Sequence, residues 1–246
     1  METTDTPLLT LHAPRLYFTG ADRFISLPEG DVDIPRGVTV MIGPNGAGKS
    51  TLAGIIERGW NFRTNRITSP APRPTVRHIE FADIHALAGF KVGYYQQRYE
   101  ASMNDEVPTV ASLLGSRAHL DEWRRLASLL HLESALPKRV NFLSSGELRK
   151  LLIANLLFDR PDLLILDNPY IGLDAPSRAI LDDTIATIAA DGTSVLLLLA
   201  DPADVPPIAR HIIRLEGSCV YPPQPVTPQL LQSIRTSMLA FHIPPA

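Results

Sequence analysis

The stretch Gly43-Pro44-Asn45-Gly46-Ala47-Gly48-Lys49-Ser50-Thr51 constrains this chain more than any other. It follows the apolar run Val38-Thr39-Val40-Met41-Ile42 and precedes Leu52-Ala53-Gly54-Ile55-Ile56, whose spacing suits the opening turns of a helix. Strand, glycine-rich turn, helix is the order in which a G-x-x-x-x-G-K-[ST] sequence folds into a phosphate-binding loop. Gly46 and Gly48 carry no side chain, so the backbone can wrap an anion and aim successive N–H groups at its oxygens. The helix N-terminus behind them adds partial positive charge. Lys49 is then a point charge for the β- and γ-phosphates, and the Ser50 hydroxyl a Mg²⁺ ligand. The fold this order requires is α/β, of the P-loop NTPase kind.

Charge narrows the choice of partner. The 246 residues carry 23 Lys+Arg against 26 Asp+Glu, a net charge of -3, which supplies no electrostatic footprint for a phosphodiester backbone. Nucleic acid is therefore disfavoured. One cysteine, Cys219, excludes an intrachain disulfide and points to a cytoplasmic address. Met1 to Pro7 lacks the basic-then-apolar order of a secretion signal. The longest aliphatic runs, such as Val195 to Ala200, fall far short of the ~20 residues that span a bilayer, so no membrane insertion is expected. The seven histidines show no zinc-site spacing.

Residues Leu8 to Pro35 alternate apolar and polar positions between Gly and Pro, which predicts short strands of an antiparallel layer. Tyr17, Phe18 and Phe24 lie upstream of Lys49, where an aromatic ring can stack on adenine, and Phe18 is the weak candidate among them. The proline-dense Thr68 to Pro74 predicts an exposed connection. Strands are predicted over Val76 to Phe81 and Phe90 to Tyr95, the second running into Gln96-Gln97. From Pro108 to Leu136, leucines and Trp123 recur at amphipathic spacings, predicting a small helical lobe inserted into the α/β core.

Ser144 and Glu147 have the spacing of a capping box, so a helix starts there with free backbone N–H groups. Leu163 to Asp167 is a continuous apolar run closing on a carboxylate, as expected of a central parallel strand. Ser194 to Ala200 repeats the run after a helix over about Pro176 to Ala190. His211 to Leu215, a Glu216-Gly217 turn and Ser218 to Tyr221 predict a terminal hairpin. Pro222 to Pro228 then leads to an amphipathic tail, Gln229 to Phe241, expected to dock on its own domain.

Taken together, the P-loop, Gln97, Leu143-Ser144-Ser145-Gly146-Glu147, Leu163 to Asp167 and Gly172-Leu173-Asp174 resemble, in order and spacing, the motif set of ATP-binding cassette (ABC) ATPase domains. The resemblance runs from about Leu8 to Tyr221. Within it, Leu143 to Lys150 with Leu163 to Asp174 looks most like ModF-type proteins (molybdenum-transport-associated or photorepair-type), in particular their N-terminal cassette.

The resemblance implies a single ABC domain over 8–222, with an antiparallel β layer and a helical subdomain inserted at about 100–158, followed by a linker and tail over 223–246. It implies ATP and Mg²⁺ as ligands. Gly43 through Thr51 with Asp167 would hold the nucleotide, Ser50, Gln97 and Asp167 would surround Mg²⁺, and Gln97 would sense the γ-phosphate. The signature, Ser144, Ser145, Gly146 and Glu147, would reach a nucleotide held by a second cassette. The implied partner is thus another copy of this chain, or a different ABC cassette, packed head to tail. Separate transmembrane subunits are the other implied partners, moving molybdate or another oxyanion, with the chain peripheral on the inner membrane face.

Two departures from the family pattern matter most. Asn168 stands where a glutamate normally polarises the attacking water. An amide is a poor proton acceptor, and general-base assistance contributes ~10²–10⁴-fold in rate. Ala200 falls at the position of the family's switch histidine and offers nothing to a γ-phosphate, and the adjacent Asp201 would repel one. Ser145 and Glu147 in place of Gly and Gln are milder departures. The expectation is an ATP-binding ATPase that turns over slowly, with Lys49, Gln97 and Asn168 at its reaction centre. The alternative is a switch that holds ATP without turnover, or the degenerate half of an asymmetric ABC pair.

Overall fold

The computed structural model describes residues 6–17, 24–58, 66–70, 72–81, 108–114 and 120–240, which fall into two compact units. All the described strands belong to the first unit, Met1–Phe81, Pro161–Tyr170 and Ile188–Ala246. β1 (Leu9–Leu11), β2 (Arg15–Tyr17), β3 (Phe24–Ser26) and β4 (Val32–Ile34) precede the P-loop strand β5 (Val38–Ile42), which leads into α1 (Lys49–Arg58). β6 (Ile67–Thr68), β7 (Val76–Glu80), β8 (Leu163–Asp167), β9 (Ser194–Leu199), β10 (His211–Glu216), β11 (Cys219–Val220) and β12 (Gln224–Pro225) complete the set.

The larger sheet has the order β2-β3-β11-β10-β5-β9-β8-β7, with β12 paired to β10 off that path. From β10 to β7 its pairings are parallel. Every residue of β5, β8 and β9 is buried. A strand covered on both faces has no polar side to alternate with, which is why these segments read as unbroken aliphatic runs. Their carboxyl ends deliver the P-loop, Asp167 and Ala200.

The smaller sheet, β4-β1-β6, is antiparallel. The antiparallel layer expected over Leu8 to Pro35 is therefore divided. β1 and β4 stay together, whereas β2 and β3 pair with each other and join the larger sheet through β11. β6 is a second difference, because Ile67 pairs with Leu11 and buries its side chain in the core, so the proline-rich connection starts after Thr68. In the last hairpin Glu216 pairs with Cys219, which puts the turn at Gly217-Ser218, one residue beyond the expected place. The strand expected over Phe90 to Tyr95 lies outside the described residues.

The second unit takes Ala82–Arg160 and Ile171–Thr187. It contains α2 (Val110–Leu114), α3 (Asp121–Leu129), α4 (Ser145–Leu157) and most of α5 (Ala175–Ala190). Trp123 and Leu126 of α3 are buried, as the amphipathic spacing predicts, and α3 packs on α4. In the first unit, α6 (Pro228–Ala240) buries Ile234 and packs against the 3₁₀ turn Pro202–Asp204, the self-docking expected of the tail.

Gly43 is demanded by packing rather than by its backbone angles. A Cβ there would stand 2.1 Å from the Leu215 carbonyl oxygen of β10, a main-chain atom that cannot swing aside. Gly43→Ala is expected to destabilise the fold by about 3 kcal/mol. At Gly46 a Cβ would meet nothing within 4 Å, but φ is +80°, so Gly46→Ala should cost only about 1 kcal/mol. Urea denaturation of the two variants measures the difference, and coincident midpoints would refute this account of Gly43.

Candidate functional site

Between β5 and α1 the chain doubles back with Gly46 at φ +80° and Gly48 at +104°, values that glycine adopts without steric cost. Lys49 opens α1 and is only 5% exposed. Its Nζ donates to the carbonyl oxygens of Gly43 at 2.7 Å and Pro44 at 3.0 Å. Burial pushes the Lys49 pKa down, while the Asp167 charge pulls it back up. The result is a cation seated in a glycine-rich turn, where a further anion is favoured. Ser50 and Thr51, the next residues of α1, are exposed.

Asp167 closes β8 and is wholly buried. Its Oδ1 accepts a hydrogen bond from Nδ2 of Asn168 at 2.9 Å. Its Oδ2 has no hydrogen-bond partner among the described residues. A buried carboxylate oxygen left without a donor is costly unless a cation or ordered water completes it. Oδ2 and the Ser50 hydroxyl are hard oxygen donors of the kind Mg²⁺ takes, so the residues present fit that ion.

Asn168 adopts φ +52°, a left-handed conformation that Asn tolerates better than longer side chains do. Its amide is turned onto Asp167, and its N–H is held by the Leu198 carbonyl of β9. Ala200 follows β9. Asp201 Oδ1 accepts from the Ala203 N–H at 2.8 Å and caps the turn Pro202–Asp204.

β7 brings a histidine to the same carboxylate. The pairs His78↔Ile165 and Glu80↔Asp167 put His78 and Asp167 on one face of the sheet, since side chains two apart in a strand share a face. Nε2 of His78 lies 3.9 Å from Oδ2 of Asp167. Burial pushes the His78 pKa down; Asp167, Glu57 and Glu80 pull it up, and Arg58 pushes it down.

In the second unit, Ser144 and Glu147 form a complete capping box at the start of α4. Ser144 Oγ accepts from the Glu147 N–H at 3.1 Å, and Glu147 Oε2 accepts from the Ser144 N–H at 3.0 Å. Lys138 Nζ donates to Glu147 Oε1 at 2.7 Å. Burial pushes the Glu147 carboxyl up, but the Lys138 and Ser144 hydrogen bonds hold it below its ordinary value. Because Ser144 uses its oxygen as an acceptor, its hydroxyl proton is left to be donated elsewhere. The N–H groups of Ser145 and Gly146 belong to the first turn, which has no acceptor within the helix. Arg149, also buried, donates to the Ile171 carbonyl and so ties α4 to the segment leading into Gly172-Leu173-Asp174.

Lys49, Asp167 and Asn168 thus gather in the first unit, and Ser144 to Glu147 in the second. Gln97 and Phe18 lie outside the described residues. Sequence reasoning missed His78, Arg149 and the steric demand at Gly43. The alternation of β7 puts His78 and Glu80 on one face, but nothing local says that β8 is the neighbouring strand. The aromatics that are described form a tilted pair, Tyr17 and Phe24, with ring centroids 6.0 Å apart. The Arg15 guanidinium lies 4.2 Å from the Phe24 ring centre.

A family profile described as ABC transporter matches residues 30–171. YknY, an uncharacterized ABC transporter ATP-binding protein of Bacillus subtilis, is 26% identical over 211 residues, covering 83% of this chain and 91% of that protein. The zinc import ATP-binding protein ZnuC of Vibrio cholerae is 33% identical over 171 residues, 67% of this chain and 57% of its own length. Among solved structures, CbiO1 of Clostridium perfringens, part of the ABC transporter complex cbiONQ, aligns with a TM-score of 0.69. That alignment covers 97% of this chain and 96% of CbiO1 at 18% identity, and it speaks to the fold alone. With that profile matched over more than half of its length, the chain belongs to the ABC transporter family of ATP-binding ATPases.

Proposed function

We propose that the chain binds Mg-ATP at the loop around Lys49, closes head to tail on a second cassette, and hydrolyses the nucleotide slowly as the ATP-binding subunit of a transporter. The observation that carries this reading is the seat of Lys49, a buried cation held by the carbonyls of Gly43 and Pro44 in the field of Asp167. In this reading the N–H groups of Gly46 and Gly48, with Lys49 and Thr51, hold phosphates. Ser50 and Asp167 hold Mg²⁺, and Gln97 senses the γ-phosphate. The ion supplies neutralisation of charge on the β- and γ-phosphates. Ser144 and the first-turn N–H groups of α4 donate to the nucleotide of the opposite cassette. Tyr17, 38% exposed beside Phe24, offers the aromatic surface for adenine.

Slow turnover follows from Asn168, whose amide holds Asp167 instead of accepting a proton from water. The same contact favours a second reading, an ATP-dependent switch whose output is the closed dimer itself. No described helix is long and apolar enough to cross a membrane, so docking at the cytoplasmic face would run through separate membrane subunits. The ModF-type likeness rests on Leu143 to Lys150 and Leu163 to Asp174, and the name of ZnuC offers a metal-ion importer as the parallel case.

Calorimetry in Mg²⁺ should record ATP binding, and light scattering a rise from 27.0 kDa toward twice that mass. Phosphate release should fall below the ~1–10³ s⁻¹ of ordinary enzymes. A folded protein that takes up no ATP sinks the proposal. Binding and closure with no phosphate release select the switch.

A further inference from the structure

We infer that His78 is a positioning residue of the magnesium site: its Nε2–H orients the Asp167 carboxylate from the side opposite Asn168. The inference rests on the reading of Asp167 as the Mg²⁺-organising carboxylate. Two buried polar atoms without a hydrogen-bond partner among the described residues, His78 Nε2 and Asp167 Oδ2, lie 3.9 Å apart. One hydrogen bond between them satisfies both. Closing the gap takes about 1 Å, within reach of the broad χ2 torsion of histidine. With its proton on Nε2 the neutral ring donates from the same nitrogen as the imidazolium, so the contact does not depend on titration. Oδ2 has two lone pairs and can accept from His78 while still serving the ion.

The surroundings make the contact directional. α1, which carries Lys49 and Ser50, packs over β7, and Glu57, Arg58 and Glu80 are the other charged groups that act on the His78 ring. Asn168 fixes Oδ1 at 2.9 Å. A donor on Oδ2 then removes the remaining freedom of the carboxylate to rotate about its own axis. Groups that orient a metal-binding side chain in this way typically change metal affinity by ~10–100-fold when removed.

The test compares wild type, His78→Leu and His78→Gln, each checked for folding by its thermal midpoint, in ATP binding at stepped Mg²⁺ concentrations and in EDTA. Mn²⁺ read by electron paramagnetic resonance gives metal affinity directly. His78→Leu should raise the Mg²⁺ concentration for half-maximal binding by ~10–100-fold and leave binding in EDTA unchanged. His78→Gln, which keeps an N–H donor, should recover most of the loss. Coincident Mg²⁺ curves for wild type and the folded Leu variant would overturn the inference, as would equal losses with and without the metal, the mark of a purely structural residue. A wild-type protein whose ATP binding ignores Mg²⁺ would overturn the reading of Asp167 and this inference together. Nitrogen-detected NMR of wild-type His78 needs no substitution: an Nε2-bound proton is expected, and a ring protonated on Nδ1 alone would contradict the assignment.

Discussion

Lys49→Ala is expected to lower ATP affinity in Mg²⁺ by ~10²-fold or more and to abolish phosphate release. Removing one partner of a buried, hydrogen-bonded charge contact costs about 2–5 kcal/mol, and about 2.8 kcal/mol is already ~10²-fold in affinity. The effect on the unliganded fold should be far smaller, because two terms oppose. Truncation leaves the Gly43 and Pro44 carbonyls without the donor that reaches them at 2.7 and 3.0 Å, a cost of about 1–3 kcal/mol. It also lifts the burial penalty that pushes the Lys49 pKa down. The variant therefore separates binding from folding. ATP at a hundred times its Kd stabilises a protein by about 2.7 kcal/mol. Wild type should show that thermal shift, whereas Lys49→Ala at the same concentration should retain about 0.4 kcal/mol of stabilisation or less while keeping its unliganded midpoint. Lys49→Arg should not restore binding, since a planar fork cannot occupy a seat shaped for a compact ammonium. An ATP affinity of Lys49→Ala within tenfold of wild type would remove Lys49 as the phosphate anchor.

What the sequence makes legible here is written locally. The P-loop joins a strand to a helix within a dozen or so residues, and both its glycines and its lysine serve that one turn. Leu163 to Asp167 announces a central strand because every residue must be apolar until the carboxylate at its end. Ser144 and Glu147 announce a helix start because the two hydrogen bonds they exchange depend only on a spacing of three. The elements that escaped are those fixed by distant pairings. Ile67 becomes strand because Leu11 lies beside it. β2 and β3 leave the small sheet because β11, almost two hundred residues on, offers an edge. Gly43 is required by Leu215. The site divides in the same way: Lys49 and Asp167 follow from motifs, whereas His78 reaches Asp167 only through the parallel register of β7 on β8. Asn168 lies between the two cases. The amide after Asp167 is visible in the sequence, but its left-handed backbone and its bond to Asp167 are not.

That combination makes Asn168→Glu the substitution that separates an impaired enzyme from a switch. In the unliganded protein it should destabilise, by about 1–3 kcal/mol. A longer side chain at φ +52° costs about 1 kcal/mol, the hydrogen bond to Asp167 Oδ1 is lost, and a second carboxylate is placed beside the first. With Mg-ATP bound the balance changes, because the ion and Lys49 offset the added charge and the new carboxylate can accept a proton from water. Single-turnover phosphate release should then rise by ~10²-fold, the lower end of what a general base contributes, since Ala200 still provides no partner for the γ-phosphate. ATP affinity should stay within a few-fold of wild type. Asn168→Gln, with similar length and no charge, should carry the folding penalty without the acceleration, which ties the gain to the carboxylate rather than to the removal of the Asn168–Asp167 bond. If folded, ATP-binding Asn168→Glu releases phosphate no faster than wild type, the absent base is not what limits turnover. The closed, nucleotide-holding dimer then becomes the function to be explained.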